Sequence, residues 1–171
     1  MNKLLRIGAW MKRDVVAVHA STSIREVTAL LVDRKVGTLP VVDEAGILIG
    51  ILPITDIIHI FLPDAVSLVD DIDFVKDFGA IKKPSTRDLK QAETLVVVDI
   101  MKQPVSVEEE CSMLRALLMM EKHNLQDLPV VTEGGHLVGI ASRVDIGIMI
   151  GRWLVPLLDE VTLPWPQALL R

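Results

Sequence analysis

Two aspartates, Asp56 and Asp145, stand at the head of two apolar runs, TDIIHIFL and VDIGIMIGRWL, that read as helices. An aspartate so placed can cap its helix, accepting from backbone N–H groups that have no partner inside the helix, for about 1 kcal/mol. That is the commonest use of such a residue. Other reactive side chains form no working set. His19, His59, His123 and His136 lack metal-ligand spacing, so no metal is expected. Cys111 precedes a helical stretch, has no evident partner base, and reads as a small, partly buried residue. Arg34-Lys35 and Lys122-His123 end two equivalent helical stretches, where cations favour the C-terminal dipole. There is no phosphate-binding loop, dinucleotide glycine fingerprint or hydrolase elbow, so an enzyme is not expected.

The 171 residues suit one compact domain or two small ones. Half are hydrophobic, yet aromatics are scarce and tyrosine is absent, so the core must come from Val, Ile, Leu and Met. A formal charge of −5 disfavours nucleic acid as a partner. A single cysteine cannot form an internal disulfide, and MNKLLRIGAWMKRDVV shows no secretory pattern. Both fit a cytoplasmic location. AGILIGILPITDIIHIFL and LVGIASRVDIGIMIGRWLVPLL are apolar, but Pro53, Asp56 and His59 interrupt the first, and Arg143, Asp145 and Arg152 the second. A charge at mid-bilayer costs roughly 2.5–3.5 kcal/mol even on a lenient scale. No membrane span is expected.

The chain says much of this twice. Pro40 and Pro129 are 89 positions apart, and that offset also aligns Val18 with Val107, Ser23 with Ser112, and LPVV with LPVV. Gly46 falls on Gly135, Gly50-Ile51 on Gly139-Ile140, and Asp56-Ile57 on Asp145-Ile146, while Met11-Lys12 matches Met101-Lys102 at 90. Each copy reads as β-α-β-β-α. Ser23 and Glu26 form a capping-box pattern, with Ile24, Val27 and Leu31 on one helical face; Ser112 is an equivalent cap without the glutamate. LPVV should begin a strand, since proline is excluded from strand centres. DEAG and TEGG are hairpin turns with glycine at the positive-φ position. Asp56 and Asp145 are expected as N-caps of the closing helices. A three-stranded sheet with helices on one face leaves its other surface poorly covered, so two copies should pack about a pseudo-twofold axis in an α+β fold.

The two units resemble CBS domains, and the tandem resembles a Bateman module, over about 10–58 and 98–150. The resemblance rests on VVDIM at 97–101, on LPVV with its glycine turn, and on GIASRVD at 139–145. It implies a division into repeat 1 (1–62), an inserted and partly helical linker (63–96), repeat 2 (97–152) and a C-terminal tail (153–171). It further implies clefts between repeats that bind adenine nucleotides (AMP, ADP, ATP or S-adenosylmethionine), with no cofactor required. In the family's Ser/Thr-x-x-Asp motif the aspartate takes ribose hydroxyls and the hydroxyl residue contacts phosphate. Ser142, Arg143 and Asp145 match it, and by similarity Val16, Val36 and Gly37 of the other repeat would wall the base. The reciprocal cleft, with Ile51, Asp56, Val105, Leu125 and Gln126, departs from the pattern because Pro53 replaces the hydroxyl residue. The resemblance also implies a homodimer acting on a separate effector protein. A structural or dimerisation module with no physiological nucleotide is the alternative. The linker carries apolar residues from Val66 to Phe78 and the tail carries Trp153 and Trp165; either could cover a cleft or a neighbouring subunit.

Overall fold

The computed structural model describes residues 5–61 and 94–160. The expectations for most of the linker and for the end of the tail fall outside them. In repeat 1, β1 (Val18–His19) leads to α1 (Ile24–Arg34), β2 (Thr38–Val42), β3 (Leu48–Pro53) and α2 (Ile54–Phe61). In repeat 2, α3 (Val97–Ile100) precedes β4 (Val107–Glu108), α4 (Met113–Lys122), β5 (Asp127–Val131), β6 (Leu137–Ser142) and α5 (Arg143–Glu160). Among the described residues there are two sheets, ordered β1-β2-β3 and β4-β5-β6, each with one parallel and one antiparallel pairing. The fold is α+β and doubled, as the repeat requires.

Local chemistry explains the elements. The capping box that opens α1 is complete: Glu26 N–H donates to Ser23 Oγ, and the Ser23 amide donates back to the Glu26 carboxylate. Ser112 caps α4 alone, accepting from the Arg115 amide. Gly46 and Gly135 turn the two hairpins at φ of 78° and 81°. The two prolines correct one expectation, because Pro40 and Pro129 lie in the middle of β2 and β5. Each is tolerated for a reason of register. Pro40 opposes Ile51, whose own N–H and C=O both bond outward to Lys102, so this is a non-hydrogen-bonded pair. The N–H that proline lacks would point toward β1, whose pairing begins only at Val41. Pro129, Ile140 and Lys12 repeat the arrangement.

The segment that leads into each repeat packs on the other one. A 3-10 turn at Ile7–Ala9 binds repeat 2 through Ile7 N–H to Cys111 O (2.9 Å) and Gly8 N–H to Glu109 O (3.0 Å). Met11 and Lys12 then cross β6. In the mirrored exchange, α3 binds repeat 1 through Val97 N–H to Thr22 O (2.9 Å), and Met101-Lys102 cross β3. The cores are correspondingly mixed: Ile7, Met11 and Ile51 are buried with repeat 2, and Val97 is buried with repeat 1. Glycine permits each crossing. A side chain at Gly50 would put its Cβ 2.8 Å from Met101 Sδ and 3.0 Å from Lys102 O, and one at Gly139 would collide with Met11. The hairpin tips also meet, through Leu48 N–H to Gly135 O and Leu137 N–H to Gly46 O.

Candidate functional site

Where β6 ends and α5 begins, Ser142 and Asp145 form a reciprocal box. The Ser142 amide (2.9 Å) and hydroxyl (2.7 Å) both donate to Asp145 Oδ2, and the Asp145 amide donates to Ser142 Oγ (3.1 Å). The N-cap is therefore Ser142, three residues before the aspartate expected in that role. Asp145 stands in the first turn, its negative charge matched to the helix dipole. Both donors fall on Oδ2, and among the described residues none falls on Oδ1, which is left to accept. Among the described residues the nearest ammonium is Lys12 Nζ, 4.0 Å from Oδ2. Lys12 comes from the chain entering repeat 1, four residues before Val16.

Repeat 1 shows what proline does at the same junction. Pro53 has neither an N–H nor a hydroxyl, so Asp56 Oδ2 is buried without a partner. Lys102 compensates at the other oxygen, with Nζ 2.8 Å from Asp56 Oδ1. The two clefts therefore share a plan, an aspartate of one repeat facing a lysine that leads into the other. They differ in that Asp145 is held by its own serine and Asp56 by a cross-repeat ion pair.

The remaining expected residues divide by burial. Val16, Val36, Gly37 and Val105 are half-buried, and Gln126 is exposed with its C=O accepting from the Arg143 amide (3.0 Å). Ile51 and Leu125 are instead sealed in the core at 2% and 3% exposure, and offer no accessible face. Arg143 is drawn into its own repeat: its guanidinium donates to Leu125 O (2.9 Å) and Met120 O (3.4 Å) at the end of α4 and pairs with Glu121. The Met120 carbonyl also accepts from the Leu125 amide, so Arg143 ties down the chain that leaves α4.

Lys12, Lys102 and Asp127 belong to the geometry and were not singled out from sequence. The repeated Met-Lys was a signal for the first two. Asp127 opens β5 where repeat 1 has Thr38, and a Cβ on Gly37 would lie 2.7 Å from Asp127 Oδ2. Burial pushes the Asp127 carboxyl above its ordinary range, and Asp145 adds to that. The Lys12 ammonium and the Gly37 and Thr38 backbone pull against it. Cys111 is likewise pushed up by burial, which lowers its thiolate fraction. It lines a cavity of about 380 Å³ with Arg115, Met119 and Val131, and none of Lys12, Gly37 and Asp145 lines that cavity. Among the described residues no group of three or more His, Cys, Asp or Glu is placed to hold a metal, and no helix is long and apolar enough to cross a membrane.

Comparison with known proteins agrees with the doubled fold. The Bacillus subtilis protein YlbB is 30% identical over 145 residues, covering 85% of this chain and 82% of its own. The chloroplastic CBS domain-containing protein CBSX1 of Arabidopsis thaliana is 28% identical, covering 82% of this chain and 61% of its own. The structure of CBSX2 in complex with AMP superposes with a TM-score of 0.65 at 24% identity, covering 87% of this chain and 98% of that one. The CBS domain pair of protein MJ0100, in complex with 5′-methylthioadenosine and S-adenosyl-L-methionine, gives 0.61 at 23%, covering 86% and 97%. The family model for the CBS domain matches residues 7–63 and 97–146, one segment for each repeat, and the chain belongs to the CBS domain family.

Proposed function

We propose that this chain is a regulatory module that binds an adenine nucleotide or S-adenosylmethionine in the cleft of Asp145 and passes its occupancy to a separate effector protein. The observation that carries this is the state of Asp145. Its Oδ2 is fixed by Ser142 and its Oδ1 is left to accept, near Lys12 of the other repeat. A carboxylate so oriented suits a pair of ribose hydroxyls. Val36 and the side-chain-free Gly37 suit the face and edge of a base. AMP in CBSX2 and 5′-methylthioadenosine with S-adenosyl-L-methionine in MJ0100 are ligands of the kind this reading requires.

In this reading the Asp56 cleft is the weaker one, because its aspartate is already engaged by Lys102. The reading also includes a cytoplasmic location, no catalysis and no required cofactor, the division at 62/63, 96/97 and 152/153, and a homodimer. Leu114 and Leu118 on α4 and Val144 and Ile148 on α5 are 50–68% exposed, and such apolar helix faces support subunit association. The same faces favour the alternative, a dimerisation module without a physiological nucleotide.

Thermal-shift titration with AMP, ADP, ATP and S-adenosylmethionine decides between them. At least one should raise the melting temperature of the wild type. Asp145→Asn, which keeps an acceptor for the Ser142 donors, should lose most of that rise. No rise with any ligand, or an equal rise in the variant, would overturn the sensor reading.

A further inference from the structure

The charges around the Asp145 cleft do not suit a phosphate. Asp127 pairs across the strands with Ser142, which holds Asp145, and the Asp145 charge raises the Asp127 carboxyl. Among the described residues, the positive groups that could offset the two carboxylates are few. Lys12 is already shared, standing 4.0 Å from Asp145 Oδ2 and pulling the Asp127 carboxyl down. The Arg143 guanidinium is spent on Glu121 and on the carbonyls of Met120 and Leu125. Two first-turn amides of α5 are also engaged, since Arg143 N–H donates to Gln126 O and Asp145 N–H to Ser142 Oγ. An anion-binding helix terminus needs free N–H groups, and these two are not free.

Asp127 holds a particular position in this set. Its Oδ2 rests against the Gly37 backbone, on the side of the cleft that belongs to repeat 1. At the equivalent place repeat 1 carries Thr38, which is neutral and 1% exposed. The half-buried environment strengthens any interaction with the Asp127 charge relative to water. A phosphate beside it is repelled, while a sulfonium or ammonium centre is attracted.

We infer that Asp127 is a specificity-determining residue, which turns the Asp145 cleft toward adenosyl ligands without phosphate, neutral or bearing a positive sulfonium, and away from AMP, ADP and ATP. This deepens the proposed function and rests on it.

The test is isothermal titration calorimetry of the full chain with 5′-methylthioadenosine, S-adenosylmethionine and AMP. The wild type should bind the first two at least about tenfold more tightly than AMP, and added salt should narrow that gap by screening. Asp127→Asn should gain about tenfold for AMP and leave 5′-methylthioadenosine nearly unchanged. Asp127→Thr copies the residue of repeat 1 and serves if the asparagine variant does not fold; the wild-type ratio and its salt dependence need no variant. Equal affinity of the wild type for AMP and 5′-methylthioadenosine overturns the role of Asp127 and leaves the cleft reading intact. Unchanged AMP affinity in a folded variant overturns it as well. No binding of any of the three overturns both.

Discussion

At the scale of single residues, the two clefts are separated by one substitution. Ser142 gives Asp145 two donors, and Pro53 gives Asp56 none, which strands Oδ2 in a buried position. A buried acceptor left unpaired costs about 1–3 kcal/mol, and removing a proline returns about 0.4–1 kcal/mol of entropy to the unfolded chain. Pro53→Ser should therefore stabilise the protein by about 1 kcal/mol, read as a higher denaturant midpoint at unchanged slope. A lower midpoint would mean that Asp56 is not stranded in solution. Asp127 gives a second prediction with a definite sign. Its folded pKa is raised above the usual aspartate value of 3.8, mainly by burial, against the opposing pull of Lys12 and the Gly37 and Thr38 backbone. The folded state thus holds the proton more tightly, and stability is lost as pH rises from about 4 through the raised value. Asp127→Asn should melt higher than wild type at pH 7, and the advantage should fade as pH falls toward 4. A constant difference across that range would contradict the burial argument.

The elements show what a sequence can and cannot reveal. The capping box of Ser23 and Glu26 and the turn glycines at 46 and 135 were legible because they act within a few residues of themselves. The motif containing Asp145 was legible through family resemblance, but its detail was not, since the N-cap is Ser142. Pro40 at a strand centre, and Ile51 and Leu125 inside the core, depend on partners far along the chain. Asp127 depends on Gly37 of the other repeat, which no local pattern encodes. The repeated Gly50 and Gly139 gain their meaning only from the crossings. Here the expected cost is steric. Gly50→Ala would press on Met101 Sδ and, less yieldingly, on Lys102 O, and such overpacking costs about 1–3 kcal/mol. It should also move Lys102 away from Asp56. Gly147→Ala on α5, where nothing lies near a new Cβ, is the control and should be neutral or mildly stabilising. Equal melting temperatures for Gly50→Ala and wild type would mean that the crossing yields freely.

For the whole molecule, the exchange of leading segments decides how the halves cooperate. If each repeat kept its own leading segment, the repeats could melt separately. Instead Ile7, at the start of repeat 1, is fully buried in the core of repeat 2, and Val97, at the start of repeat 2, is fully buried in that of repeat 1. Unfolding either repeat therefore strips a buried side chain and two or more backbone hydrogen bonds from the other. The hairpin tips and the Asp56–Lys102 pair add to the same linkage. Calorimetry should record one transition with equal calorimetric and van't Hoff enthalpies. Ile7→Ala should lower stability by about 2–5 kcal/mol and Val97→Ala by somewhat less, since fewer buried methyls are lost. Both should do so without splitting the transition, although each residue sits outside the repeat whose core it fills. Two resolved transitions, or a variant that melts one half first, would show that the exchanged segments do not couple the repeats. In the proposed reading, coupling of this kind would let occupancy of one cleft be felt across the molecule, because a ligand between Asp145 and Lys12 would touch both halves of a single cooperative unit.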